Sequence, residues 1–234
     1  MNPAPDQAAD DEAGAGVPVS TIDGPSASGK GTVAALLAER LGWRLLDSGA
    51  LYRIVAAVGL DRHIPLQDEE ALAAMAGKLA IEFRDAGVFV DGVDMTDVIR
   101  TEPVSRAASE VAALGAVRAA ILEAQRAMRR PPGLVADGRD MGTVVFPDAP
   151  LKIYLDASTR VRAERRYNQL KNNGLSVNFR ALLANLEERD ARDKGRAVSP
   201  LLPAADALVI DSTDLTIEAV LERVLKEARI RNLI

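Results

Sequence analysis

Cysteine is absent from the 234 residues, and aromatic residues make up only 3% of them. Without thiols there is neither a disulfide framework nor a thiolate zinc site, which fits a reducing compartment and makes the cytoplasm the expected location. Histidine occurs once, as His63; no Ser/His/Asp arrangement is indicated, and His63 beside Pro65 reads as a solvated residue in a connection. With so few rings, Trp43 and the other aromatics read as core and not as a base-stacking platform. No apolar run approaches the ~20 residues that span a bilayer. The start of the chain lacks the basic stretch followed by an apolar one that marks a secretory signal. Lys and Arg are missing from residues 1–16, which hold Asp6, Asp10, Asp11 and Glu12. This acidic leader, rich in Ala, Asp, Gly and Pro, has no apolar periodicity and is expected to be disordered. Net charge is −5, from 34 acidic against 29 basic residues, and outside the leader the two signs nearly cancel. Broad binding to nucleic acid needs a basic face that releases counterions, so no nucleic-acid partner is expected and an anionic ligand must rely on local arginine clusters.

Hydrophobic residues make up 48% of the chain, ample for a buried core. From Val17 onward short apolar runs alternate with amphipathic segments: Val17–Ile22 then Val33–Leu41, and Trp43–Leu46 then Leu51–Leu60. Leu134–Ala136, Leu151–Leu155 and Ala207–Ile210 follow, each near a helical stretch, the last being Ile217–Ile230. Unbroken apolar strands between helices predict an α/β fold with a parallel sheet covered on both faces, and ligands at the carboxyl ends of its strands. Leu79–Phe83, Val88–Val90 and Val93–Met95 break the rhythm. The Asp91-Gly92 pair between apolar flanks predicts a two-residue hairpin, so these runs read as a small antiparallel meander, with an irregular surface loop as the alternative.

Between the first run and the first helix lies Gly24 Pro25 Ser26 Ala27 Ser28 Gly29 Lys30 Gly31 Thr32. Two glycines bracketing four residues let the backbone curl with its amides inward. The following helix N-terminus favours an anion, and Lys30 supplies a cation for the outer phosphates of a nucleoside triphosphate. A Gly-rich turn that merely precedes a helix would share the glycines without Lys30 or the flanking elements. Gly31 separates Lys30 from the hydroxyl, which leaves Thr32 as the expected Mg²⁺ ligand.

Three further groups cluster at strand ends. Asp47 or Ser48 can cap the helix that follows the second run, and Arg53 would then face the strand-end crevice. The third run ends in Asp137 Gly138 Arg139 Asp140, where Asp137 is placed to hold Mg²⁺ directly or through water. Arg139 and Asp140 make a tight polar group that reads as functional, or alternatively as a loop ion pair. Residues 156–196 carry a local excess of positive charge. On a helix Arg162 and Arg166 share a face, as do Arg189, Asp193 and Arg196, so guanidinium groups could converge on transferring phosphates. A turn at Asn172 Asn173 Gly174 would let this part close as a lid.

With these residues assembled, the chain resembles the bacterial cytidylate kinases from Val17 to about Ala228. The likeness is carried by Ile22–Ser26 with Gly29–Thr32, by Leu46–Arg53, by Ala136–Phe146, and by Glu188–Asp190 through Arg196–Val198 with Pro200 and Leu201. The Gly-Lys-Gly-Thr form is the one seen in nucleoside monophosphate kinases. The resemblance implies a P-loop core with a five-stranded parallel sheet over 17–60 and 105–234. It also implies a monophosphate-binding insert over 61–104 and a helical lid at about 160–185. It places Ser48, Ser109, Arg118 and Asp140 at the cytosine or its surroundings, Arg53, Arg139 and Arg196 on the acceptor phosphate, and Arg189 and Asp193 near the ribose and phosphate. Lys30, Arg139, Arg166 and Arg196 are the implied catalytic cations, with Arg165 also in the lid. ATP is the implied donor, with Mg²⁺; CMP and dCMP are the implied acceptors, and the protein is expected to be a monomer.

Ser109 and Arg118 test this physically, because nine residues of one straight helix advance about 900° and would put them on opposite faces. Gly115 offers a break. The expected reaction, ATP + CMP giving ADP + CDP, needs no general base, since an acceptor phosphate oxygen is already anionic. Its demands are in-line positioning and charge neutralisation. The alternatives are a kinase for another monophosphate or a small alcohol, and a nucleotide-dependent switch or binding module. Against the switch stand the lack of a guanine-reading Asn-Lys-x-Asp and of a second acid after Asp137.

Overall fold

In the computed structural model the described residues are 16–84, 87–172, 174 and 176–234. The expected leader before Gly16 and the Asp85, Ala86 and Asn173 portions of two expected turns lie outside them. The chain divides into two units, one formed by Arg126–Ile234 together with the chain up to Leu46, the other by Asp47–Gln125. The second contains the segment 61–104 expected as an insert.

The first unit is built on a five-stranded parallel sheet in the order β2-β6-β1-β7-β8. Its strands are β1 (Val19–Asp23), β2 (Arg44–Asp47), β6 (Leu134–Gly138), β7 (Leu151–Asp156) and β8 (Leu208–Asp211). β1 is central, and Asp23 stands in register with Gly138 of β6 and Tyr154 of β7. β1 and β6 are buried along their whole length, as strands covered on both faces must be. This is why both show in the sequence as short, mainly apolar runs that carry no charge until Asp23 and Asp137.

Helix α1 (Lys30–Leu41) follows the glycine-rich loop and ends at Gly42, whose left-handed conformation lets its amide reach the carbonyls of Ala38 and Glu39. Helix α8 (Ile217–Ile230) starts on a Thr216 cap and buries Val220, Leu221, Val224, Leu225 and Ala228. That spacing makes one apolar stripe, and it joins Val33 and Leu37 of α1, Ile22, Val135 and Ile153 in a single core. Each large side chain fully buried there contributes about 1.5–3 kcal/mol. The basic segment folds as two helices, α6 (Thr159–Asn172) and α7 (Phe179–Lys194), with Asn178 capping α7 and the Tyr167 and Phe179 rings meeting edge to face at 6.0 Å.

The second unit starts with α2 (Ser48–Asp61). Of the two candidate caps the structure selects Asp47, whose Oδ1 accepts from the Ala50 amide at 3.0 Å, while Ser48 is the first helical residue. After α3 (Glu69–Ala76), capped by Asp68, come β3 (Ile81–Arg84), β4 (Gly87–Val90) and β5 (Val93–Asp94), an antiparallel meander as expected, not an irregular loop. Asp91 and Gly92 both take positive φ, 50° and 81°, the geometry of a two-residue hairpin whose twist matches the strands. Helices α4 (Glu102–Val111) and α5 (Gly115–Arg126) are separate. The break lies at Ala112–Leu114, where α4 tightens into three-residue hydrogen bonds (Ala113 to Glu110, Leu114 to Val111), and Gly115 opens the next helix. Among the described residues no helix is long and apolar enough to cross a membrane.

Candidate active site

In the first unit, the loop from Gly24 to Thr32 leaves β1 and enters α1. Gly24 has φ +152°, and a Cβ there would collide with the Leu155 carbonyl of β7, so only glycine lets the loop pass so close to the sheet. Gly29, at φ +94°, is the N-cap of α1 and makes no side-chain cap. The helix therefore begins with its positive end and uncapped amides at the loop, as an anion cradle requires. Lys30 is buried, with Nζ 3.3 Å from the Pro25 carbonyl and 4.0 Å from Asp137 Oδ1. Thr32 is exposed in the first turn of α1. Asp137, near the end of β6, has Oδ2 3.1 Å from where a Cβ on Gly31 would stand. A carboxylate and a hydroxyl beside a phosphate cradle are hard oxygen donors of the kind that suit Mg²⁺ held jointly with a phosphate.

The arginines beside this loop fall into two sets. Arg139, following β6, donates from Nη2 to Ser26 Oγ at 2.8 Å and from Nε to Asp193 Oδ2 at 3.0 Å. Arg196 lies just past the end of α7 and pairs with the other oxygen, Oδ1, of the same Asp193. Arg139 thus pairs with Asp193 of α7, a partner 54 residues further along the chain. Burial pushes the Asp193 carboxyl up, but the charges of Arg139, Arg196 and Arg189 outweigh it and hold the group below the usual carboxylate range. One buried carboxylate therefore fixes two guanidinium groups, one of which also touches the phosphate loop.

In the second set, on α6, Arg162 and Arg165 hold the fold together. Arg162 was expected to share a phosphate-facing surface with Arg166, and here the structure differs. Arg162 is 2% exposed and is consumed by Asp190, which meets both of its terminal nitrogens, and by the carbonyls of Ser26 and Ala157. Helical spacing identified the shared side of α6 but not the carboxylate waiting on α7. Arg165 likewise serves the loop's back side, donating to the Ser28 carbonyl at 3.1 Å and to the Ser212 carbonyl at 2.6 Å. Ser212 Oγ in turn lies 2.9 Å from Asp156 O and 3.2 Å from Ser28 O, the two acceptors within reach of its single proton. Arg166 is half-buried and donates to Gln169 Oε1 at 2.9 Å.

Asp140 is buried, as are Met141 and Gly142, which begin a single wide turn, Met141–Val145, closed by five-residue hydrogen bonds such as Val145 to Asp140. Asp23, the last residue of β1, takes both leading amides of this turn at 2.8 Å each. Burial raises its carboxyl, the two amides pull it down and Asp140 and Asp137 push it up again, to a net value of about 7. Sequence reasoning passed over Asp23, Asp190 and Ser212. For Asp23 a signal existed, an acid ending a strand that is otherwise without charge. For Asp190 none did, since its partner lies 28 residues away on another helix.

The second unit carries the remaining expected residues. Arg53 pairs with the helix cap, Nη2 to Asp47 Oδ2 at 2.6 Å. Ser48 is buried and its Oγ accepts from Gln125 Nε2 at 2.8 Å. Ser109 of α4 and Arg118 of α5 are both buried. Arg118 donates to the Ala112 carbonyl at 3.1 Å and lies over the Tyr52 ring, 5.6 Å from its centre.

A family model described as cytidylate kinase matches residues 20–230. Curated proteins named cytidylate kinase from Salmonella choleraesuis and Salmonella paratyphi B are each 56% identical to the chain over 216 residues, covering 91% of it and 95% of the relative. Among solved structures, TT1252 from Thermus thermophilus aligns at 20% identity and a TM-score of 0.43 over 90% of this chain and 97% of that one.

Proposed function

Since the chain belongs to the cytidylate kinase family, we infer that it transfers the γ-phosphoryl group of ATP to the phosphate of CMP, giving CDP and ADP, and we propose the division of labour that follows. The observation that carries it is the arginine pair on Asp193. Arg139 and Arg196 are held by opposite oxygens of one buried carboxylate, and Arg139 also reaches Ser26 of the phosphate loop. Guanidinium forks fixed in this way are ready to take phosphate oxygens without reorganising.

The loop amides from Gly24 to Thr32 and the Lys30 ammonium hold the donor phosphates. Arg139, Arg196 and Arg53 are the residues proposed to grip the acceptor phosphate. Arg166 supplies a further cation when the α6–α7 segment closes as a lid. No residue need act as a base, because the attacking oxygen is already an anion; the work is alignment and neutralisation of charge on the transferring group. Thr32 and Asp137, the latter directly or through water, would hold Mg²⁺, which when bound would neutralise charge on the donor phosphates.

Asp140, Ser48, Ser109 and Arg118 serve the cytosine. Asp140 accepts from the exocyclic amine, while Arg118 and Ser109 donate toward the ring carbonyl and nitrogen. Uracil offers a carbonyl where cytosine offers the amine, so Asp140 disfavours UMP. Arg189 and Asp193 lie toward the ribose, and dCMP is accepted as well as CMP. The protein acts as a cytoplasmic monomer without a nucleic-acid partner.

Initial rates of ADP release test the arginine assignment. Arg196→Ala should lower kcat/KM for CMP by about 10²-fold or more while ATP binding stays within about twofold, as expected for loss of a charge-assisted contact to one substrate alone. Unchanged CMP kinetics would reject it.

A further inference from the structure

We propose that Asp23 is a positioning residue for acceptor choice: from the end of β1 its carboxylate fixes the turn that follows Asp140, and thereby sets Asp140 for the acceptor's base. The proposal rests on the reading of Asp140 as the group that accepts from the cytosine amine.

An aspartate at the N-terminal boundary of a helical turn ordinarily satisfies the first amides with its own side chain. Asp140 occupies that boundary and makes no such cap. Asp23 caps the turn in its place, Oδ1 to the Met141 amide and Oδ2 to the Gly142 amide, both at 2.8 Å, across 118 and 119 residues of sequence. The turn gets its cap without engaging the Asp140 carboxylate in that role.

Glycine at two positions locks the same turn sterically. A Cβ on Gly142 would come within 2.8 Å of Thr21 Oγ1 on β1 and 3.2 Å of Lys152 Cδ on β7. One on Gly138 would come within 2.6 Å of Met141 Cγ. The backbone after Asp140 is therefore seated on the sheet from below and held by Asp23 from the side. Asp23 is 5% exposed, with the negative charges of Asp137 and Asp140 acting on it. A carboxylate desolvated beside like charges is a costly way to close a turn, and such cost is commonly found where function requires the geometry. Asp23 also directly precedes Gly24, so a single residue joins the start of the donor-phosphate loop to the turn that carries the acceptor-reading group.

The test is Asp23→Asn, which keeps the size but leaves one acceptor for two amides. At pH 8, where Asp23 is ionised, KM for CMP should rise about tenfold or more, as loss of a charged hydrogen bond predicts, while KM for UMP changes much less, so that the preference for CMP over UMP falls by a similar factor. ATP affinity, measured by calorimetric titration without acceptor, should stay within about twofold, and the Met141 and Gly142 amides should exchange hydrogen faster. A parallel loss of ATP and CMP affinity, or an unchanged preference, would overturn the proposal. If Asp23→Asn does not fold, Gly142→Ala pushes the same turn from its other side and should produce the same loss of preference; a retained preference there overturns it equally. Asp140→Ala separates the two levels. If that variant still prefers CMP, the reading of Asp140 fails and the proposal with it; if it loses the preference while Asp23→Asn keeps it, only the role of Asp23 fails.

Discussion

Arg162 closes on Asp190 with both terminal nitrogens of its guanidinium, Nη1 reaching Oδ1 at 3.1 Å and Nη2 reaching Oδ2, and the same Nη1 donates to the Ser26 carbonyl at 3.1 Å. The pair ties α6 and α7 to each other and to the back of the phosphate loop. Removing one member leaves an uncompensated buried charge, so Arg162→Ala should cost about 3–5 kcal/mol in urea denaturation, whereas the paired replacement Arg162→Met with Asp190→Leu should cost far less. Equal losses in the single and double variants would mean that the pair is not a coupled unit.

Asp140 is buried and follows directly on Arg139 at the end of β6. In Asp140→Ala, turnover of CMP should fall about 10²-fold or more while ATP affinity holds, because the role proposed for Asp140 lies with the acceptor base and not with the donor phosphates. Steady-state kinetics with CMP and UMP, together with ATP titration, read both quantities. Equal CMP turnover in the variant would remove Asp140 from base recognition.

Asp23 also makes stability depend on pH. Its carboxyl is raised to about 7 in the fold, by burial first and by Asp140 and Asp137 after the amides have pulled it down, with Arg139 the nearby cation. The folded protein therefore keeps a proton at Asp23 in a window, about pH 4 to 7, where the unfolded chain has released it. The stability that this proton carries is complete below that window and lost as pH rises through 7. Asparagine does not titrate, so the melting temperature of Asp23→Asn minus that of the parent should grow between pH 5 and pH 8. A difference that stays flat, or shrinks, would contradict the burial argument.

Much of this architecture is legible in the sequence because of where its strands lie. β1, β6 and β7 are buried along nearly their whole length, so Val19–Ile22, Leu134–Ala136 and Leu151–Leu155 show as mainly apolar runs, broken only by Ser20 and Thr21 in the first and Lys152 in the last, and Asp91-Gly92 marks the meander by the φ its turn demands. The phosphate loop is legible because spacing alone dictates it. What spacing does not encode is which charges meet. The face shared by Arg162 and Arg166 is real, yet Arg162 spends its donors on Asp190 and two carbonyls, and nothing near residue 162 announces a carboxylate on the next helix. Whether Asp47 or Ser48 caps α2 was likewise open, since both are good caps; the choice of Asp47 leaves Ser48 Oγ to accept from Gln125. Asp23 sits inside a recognisable motif, but its role appears only once two amides more than a hundred residues away are seen on its oxygens.

The central claim is that a donor-phosphate cradle in this chain works only together with a cytosine-reading acceptor site. Its most direct test is a coupled ADP-release assay with ATP and, in turn, CMP, dCMP, UMP, AMP, GMP and no acceptor. CMP should give the highest kcat/KM, with dCMP close to it, UMP well below, the purine monophosphates lower still, and the acceptor-free rate near background. Comparable ADP release without an acceptor, or turnover of AMP or GMP to match CMP, would contradict it.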